Sequence, residues 1–168
     1  MKNEGVIMTI KDIEYWASRF RRGIEIAHEE NLFRTQPFNR FPNACCNDAP
    51  DLLAEYLLAH DLSHTMKCRC VYGYYDYDDF DYKFTHNWLE INGSIIVDIA
   101  ADQQQFHNRR IFPQNAFRPC FVETESEFHS LFKVNSRRDI HSLYYLGEFS
   151  YSRLKPIYDT IVECIEEN

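Results

Sequence analysis

The chain has 168 residues, 45% of them hydrophobic and 26% charged, with a net charge of −8 at neutral pH. That length and mix predict a single globular domain over residues 1–168 with a core of its own, and the negative balance argues against nonspecific nucleic-acid binding and against docking on anionic membranes. No stretch reaches the apolar length of a membrane span, and residues 1–22 are broken by charges with no apolar signal core, so a cytoplasmic location is expected.

Residues 9–30 read as an amphipathic helix. Ile10, Ile13, Trp16, Phe20, Ile24 and Ala27 recur at three- and four-residue steps, with Thr9 placed as N-cap and Asp12 three positions on. Residues 31–42 predict a loop with two prolines. A second helix is predicted over about 46–59, with an apolar stripe of Leu52, Leu53, Tyr56 and Leu57. Asn47, Asp48 and Asp51 crowd its first turns, where the helix dipole favours negative charge, and Pro50 is tolerable only in or near the first turn.

From about Lys67 the pattern changes to strands: 68–74, 84–90 and 94–100, the last two bracketing Asn92-Gly93. The connector 76–81 is acidic and aromatic. It lacks the Gly and closing Glu of a helix–loop–helix calcium site and reads as a solvated loop. Beyond Gln103 the pattern predicts a loop with Pro113 and Pro119, a short helix near 125–132, a strand at 143–149 and a C-terminal helix over 152–166. Helices followed by a block of hairpin strands define an α+β class, with N-terminal helices packed on an antiparallel sheet.

Six cysteines (45, 46, 68, 70, 120, 164) fit no disulfide-rich scaffold and are expected as free thiols. Cys68 and Cys70 alternate on a strand, share a face and belong most simply to the core. Together with Cys45, Cys46, His60 and His64 they fit zinc-site spacings poorly.

Cys46 stands at the predicted start of the second helix. Unpaired N–H groups there favour a thiolate and can stabilise an oxyanion on a substrate carbonyl. Cys45, one residue earlier, projects in another direction. The plain alternative is that both are small buried apolar residues. His86 and Asp98 lie on the two strands around Asn92-Gly93, and register decides whether they meet. A two-residue turn sets position 86 opposite 99 and puts His86 and Asp98 on opposite faces. A three-residue loop of Ile91, Asn92 and Gly93 pairs Glu90 with Ser94, Trp88 with Ile96 and His86 with Asp98, with Ile95, Val97 and Ile99 facing the core. The sequence permits both, and only the second makes Cys46, His86 and Asp98 a nucleophile, general base and orienting acid.

The segments Phe41-Pro42, Cys46-Asn47-Asp48-Ala49 and Leu52-Leu53, with His86-Asn87-Trp88-Leu89-Glu90, Gly93, Val97-Asp98-Ile99 and Ala101-Asp102-Gln103, resemble the transglutaminase-like branch of the papain-like cysteine enzymes, in particular small bacterial proteins of that fold. The resemblance covers about residues 37–106. It implies a cysteine that opens a helix packed on an antiparallel sheet, with histidine and aspartate on adjacent strands, so that Cys46, His86 and Asp98 take the three catalytic positions. Asn47 and Asn87 depart from the family pattern, which has a small residue or Gly after the cysteine and Ala between His and Trp. The function so implied is a cysteine-nucleophile hydrolase of amide or acyl bonds in a peptide, protein or small molecule, working through a thioester without cofactor or metal. The alternatives are an acyl or amine transferase (transglutaminase or N-acyltransferase type) on the same three residues, or an inactive binding module of this fold. A second oxyanion donor is needed, for which Asn43 and Tyr72 are the candidates.

Overall fold

Thr9 caps the first helix, α1 (Ile10–Glu29), as its position predicts: the Thr9 hydroxyl accepts the Asp12 N–H and the Asp12 carboxylate accepts the Thr9 N–H at 2.8 Å, a reciprocal capping box. Ile13, Ala17, Phe20, Ile24 and Ala27 form its buried stripe, and Arg21 lies buried among them. The computed structural model describes residues 7–35, 37–76, 83–106 and 118–168. Residues 77–81 of the predicted acidic connector (76–81) and the Pro113 loop lie outside them.

The second helix, α2, spans Ala49–His60 rather than starting at Cys46. Pro50 sets the difference. A helix begun at Cys46 would need the residue 50 nitrogen to donate to the Cys46 carbonyl, and proline has no N–H. Residues 46–48 instead form a turn in which the Asp48 and Ala49 N–H groups both go to the Cys45 carbonyl, at 3.1 and 2.9 Å. Asp48 and Asp51, placed by the sequence pattern to suit the dipole, are each held by an arginine: Arg153 on Asp48 at 2.6 and 2.7 Å, Arg138 on Asp51 at 2.7 and 2.9 Å.

Five strands follow: β1 (Cys68–Asp76), β2 (Lys83–Ile91), β3 (Ile95–Asp98), β4 (Phe121–Glu123) and β5 (Lys133–Ile140). They form one antiparallel sheet in the order β4-β3-β2-β1-β5. A short helix, α3 (Glu127–Ser130), precedes β5, and α4 (Glu148–Glu167) closes the chain against α1. β5 is exposed at every position but Ile140 and has no apolar alternation, so its sequence carries no strand signal. Residues 143–149 are not a strand. Leu143–Leu146 is a 3₁₀ turn, Gly147 adopts φ +89°, and α4 begins at Glu148, four residues earlier than expected, with Pro156 inside it. Among the described residues no helix is long and apolar enough to cross a membrane.

The sheet has two covered faces. Cys68, Cys70, Leu89, Ile91 and Val97 pack with α1, α2 and α4, which bears out the core placement of the Cys68 and Cys70 side chains. Val71, Phe84, Trp88 and Phe121 pack on the other face under Phe128 and Phe132 of the α3 region. Trp88 crosses closely over Gly73: a Cβ there would lie 2.8 Å from the indole ring and 2.9 Å from the Phe132 Cβ, so only glycine fits.

Candidate active site

Cys46 lies in the turn before α2, His86 on β2 and Asp98 at the end of β3. The hairpin register is neither of the two the sequence suggested. The ladder pairs Ile91 with Ile95, Glu90 with Ile96 and Leu89 with Val97. Asn92 and Gly93 take left-handed φ of +52° and +75°, the Ser94 N–H closes on the Ile91 carbonyl at 3.2 Å, and Ser94 adds a residue before pairing begins. The register is thus displaced by two from the three-residue loop foreseen, and a displacement of two preserves faces. Continued outward, it sets Asp98 opposite Trp88 and leaves His86 diagonal to Asp98 on the same face, within side-chain reach.

That diagonal is closed by a hydrogen bond of 2.6 Å from His86 Nε2 to Asp98 Oδ2. Two more donors reach the same carboxylate: His129 Nε2 at 2.9 Å on Oδ2, and the Ala100 N–H at 2.8 Å on Oδ1. His129, from α3, is oriented in turn by Ser126, whose hydroxyl lies 2.7 Å from Nδ1 while accepting the His129 N–H. A hydroxyl proton on Nδ1 leaves the His129 proton on Nε2, facing Asp98. His86, Asp98, Gln103 and His129 are 0%, 2%, 3% and 4% exposed. The His86 ring is enclosed by Trp88, Phe128 and Phe132, with ring centres 5.7–6.2 Å away.

Burial alone would protonate Asp98, but the charge of His86 and the hydrogen bonds of both histidines hold its carboxyl well below the usual range. Burial alone would likewise depress His86. The charge and hydrogen bond of Asp98, then those of Cys46, raise it instead. Cys46 follows the same contest: burial pushes its thiol up, while the hydrogen bond and charge of His86, then Gln103 and the Asn87 backbone, bring it below the ordinary thiol value. Cys45, fully buried on the helix side of the sheet, is driven strongly upward, first by desolvation. Neighbouring thiols therefore have opposite characters. The difference comes from side-chain partners more than from the helix dipole, because Cys46 precedes α2 by three residues. Linkage from these two groups gives a stability maximum between about pH 3.9 and 6.5. The raised His86 contributes stability that is full below about pH 6.5 and fades as pH climbs; the lowered Asp98 contributes above about pH 3.9 and loses it on acidification.

Three residues that the sequence reading assigned no role complete the arrangement. Gln103, in the 3₁₀ turn Ala101–Phe106 after β3, accepts the Cys46 N–H on Oε1 at 3.3 Å and places Nε2 3.1 Å from His86 Nδ1. Arg21 of α1 pins this turn. Its guanidinium bonds Asp102 at 2.7 and 2.8 Å and the Ile99 carbonyl at 2.7 Å, and stacks over Phe41 at 4.3 Å. His129 is the third, and no local signal in Ser126-Glu127-Phe128-His129 marked it. Replacing His129 with Leu removes one charge-assisted hydrogen bond from a buried carboxylate and lowers stability by about 1.5–3 kcal/mol, measured by urea unfolding at pH 7, with His129→Gln recovering part of the loss. Tyr72, the cross-strand partner of Asn87, lies on the face opposite His86. Asn87 Nδ2 reaches Asn47 Oδ1 at 3.1 Å, and its buried Oδ1 has no partner among the described residues.

His86, Asp98 and His129 are also the described residues' one group of three or more clustered metal-type ligands, their donor atoms within 4.8 Å of one another. Two ligands of one ion held at about 2.1 Å lie roughly 3.0–3.4 Å apart. The contacts of 2.6 and 2.9 Å are shorter and fit hydrogen bonds to a shared oxygen. Two clefts flank the site without including Cys46 or His86. One of about 670 Å³ is lined by Trp88, His129 and Phe132, the other of about 590 Å³ by Asp48, Asp51, Arg138 and Arg153. Compared with protein families, with curated proteins and with solved structures, the chain finds no match.

Proposed function

We propose that this chain is a cysteine-nucleophile enzyme of papain-like, transglutaminase-like architecture that cleaves amide or acyl bonds. The observation that carries the reading is the 2.6 Å bond between Asp98 and the buried His86, whose other ring nitrogen and the Cys46 N–H both meet the Gln103 amide, beside a thiol that His86 brings below its ordinary value. An antiparallel sheet with α1, α2 and α4 packed on one face, and a cysteine in the turn leading into α2, agrees with it.

In this reading Asp98 holds the His86 proton on Nε2 and leaves Nδ1 for the thiol. Nδ1 takes the Cys46 proton. The sulfur then forms a bond to the carbonyl carbon, and the carbonyl electron pair moves to oxygen. Collapse breaks the bond to the leaving nitrogen or oxygen, which takes the proton back from Nδ1 and leaves a thioester. Water, deprotonated by His86, adds to the thioester and expels the thiolate. No cofactor enters these steps. An amine in place of water gives the transferase.

An activated ester tests this directly. With p-nitrophenyl acetate, a burst of about one nitrophenolate per chain and acetylation of Cys46 are expected. Cys46→Ala abolishes the burst and Cys45→Ala keeps it; the reverse pattern would assign the wrong thiol. Faster turnover on adding a primary amine, with acetylated amine as product, selects transfer over hydrolysis. A wild-type protein without a burst leaves the binding module as the reading.

A further inference from the structure

Gln103 holds the two groups the proposed chemistry needs free. The Cys46 N–H, the natural donor to a developing oxyanion, is bonded to Gln103 Oε1 at 3.3 Å, and His86 Nδ1, the nitrogen that serves the thiol, has Gln103 Nε2 3.1 Å away. Gln103 is also among the groups that bring the Cys46 thiol below its ordinary value. The amide orientation is fixed at one end, because a backbone N–H must find an acceptor, which places the oxygen on Cys46 and the NH₂ beside His86. The NH₂ donates to Nδ1 when the thiol and imidazole are neutral. A carboxamide with its oxygen on the nucleophile's N–H and its nitrogen beside the base occupies the place of a substrate's reacting amide.

We infer that Gln103 is an intramolecular cap, a carboxamide from the chain itself that fills the oxyanion position and must be displaced before a carbonyl substrate engages Cys46. This rests on the cysteine-nucleophile reading. Gln103 is 3% exposed, and its turn is anchored through the neighbouring Asp102 by Arg21, so the cap is held in register with the site and does not depend on a chance surface contact.

Propionaldehyde is a suitable probe. The Cys46 sulfur bonds to the aldehyde carbon, the carbonyl pair moves to oxygen, and that oxygen takes the thiol proton by way of His86. The resulting hemithioacetal needs the N–H that Gln103 now holds. Binding is read as protection of Cys46 from iodoacetamide, by mass spectrometry of the Cys46 peptide. Gln103→Ala is expected to lower the half-protecting aldehyde concentration about five- to ten-fold, the worth of one neutral hydrogen bond. It should also raise the pH midpoint of Cys46 alkylation, because a group that lowers the thiol is lost. A residue that only fills space would not tighten aldehyde binding while weakening the thiolate. Gln103→Glu keeps the size, accepts the same N–H and pairs with the imidazolium, and is expected to weaken aldehyde binding at least five-fold. Unchanged or weaker binding in Gln103→Ala, or unchanged binding in Gln103→Glu, overturns the cap. If neither variant folds, a crystal structure of the wild-type aldehyde adduct decides: the adduct oxygen on the Cys46 N–H with Gln103 Oε1 displaced supports the cap, and Gln103 still in place overturns it. Failure of the underlying reading looks different: wild-type Cys46 then forms no adduct and its alkylation is indifferent to His86→Gln.

Discussion

Substituting His86 with Gln lowers the rate at which iodoacetamide alkylates Cys46 at pH 6.5 by on the order of 100-fold. Only the thiolate reacts. An ordinary thiol near pH 8.5 is about 1% ionised at pH 6.5, whereas a thiol paired with an imidazolium is largely ionised there. The imidazolium is the largest influence that lowers the Cys46 thiol, so its loss leaves burial, which acts in the opposite direction. In the wild type the rate rises with pH through a midpoint below that of a free thiol and then levels. In His86→Gln the midpoint lies above it. The experiment is clean because these other thiols are silent in this range: buried Cys68 is pushed up to about 12, and buried Cys70 and half-buried Cys120 to about 11, chiefly by desolvation. Asp98→Asn is expected to give a smaller loss, about ten-fold, since it removes the charge that supports the imidazolium but keeps an oxygen for one histidine proton. A His86→Gln rate within three-fold of wild type at pH 6.5 would remove the basis of the proposed chemistry.

What could be read from the sequence divides along physical lines. The α1 cap, the amphipathic stripe of α1 and the strand character of β1 and β2 are local properties, set by Thr9, by three- and four-residue spacing and by runs of β-branched and aromatic residues. They were legible. The hairpin register was not, because turns that differ by one residue at Asn92-Gly93 close at nearly equal cost. Only the parity of the register matters for bringing His86 beside Asp98, and a displacement of two leaves parity unchanged. The start of α2 was misjudged by three residues although the deciding residue, Pro50, was in view. β5 escaped because an edge strand exposed along its length has no pattern to display. Gln103 and His129 gain their roles from distant chain segments that meet Cys46 and Asp98, and no spacing within either segment carries that information. Arg21 is different. Its place four residues after Ala17 and three before Ile24 puts it on the apolar stripe of α1, where a charge requires a buried partner. That signal was present and pointed to an acid elsewhere in the chain.

Arg21→Met destabilises the fold by about 3–5 kcal/mol, lowering the thermal midpoint by roughly 8–15 °C for a domain of this size. Arg21 is buried, 7% exposed, and its guanidinium has five hydrogen-bond contacts: two to Asp102, one to Glu25 at 2.8 Å, and one each to the Ile99 and Pro119 carbonyls. Methionine fills much of the volume but leaves the Asp102 carboxylate without its cation at 7% exposure. The larger part of the loss is that stranded charge and not the attraction of the pair, so Arg21→Met with Asp102→Asn should recover about 1–2 kcal/mol over the single variant. The damage is also directional. Ile99 follows Asp98 and Asp102 precedes Gln103, so a slack turn moves both the acid that orients His86 and the amide beside Cys46. Where Arg21→Met remains folded, the pH midpoint of Cys46 alkylation should therefore move toward that of His86→Gln, while Cys45 stays unreactive in the helix-side core. Urea unfolding of the three proteins checks the energies. A single variant within 1 kcal/mol of wild type, or a double variant no more stable than the single, would show that the site does not depend on this buried pair.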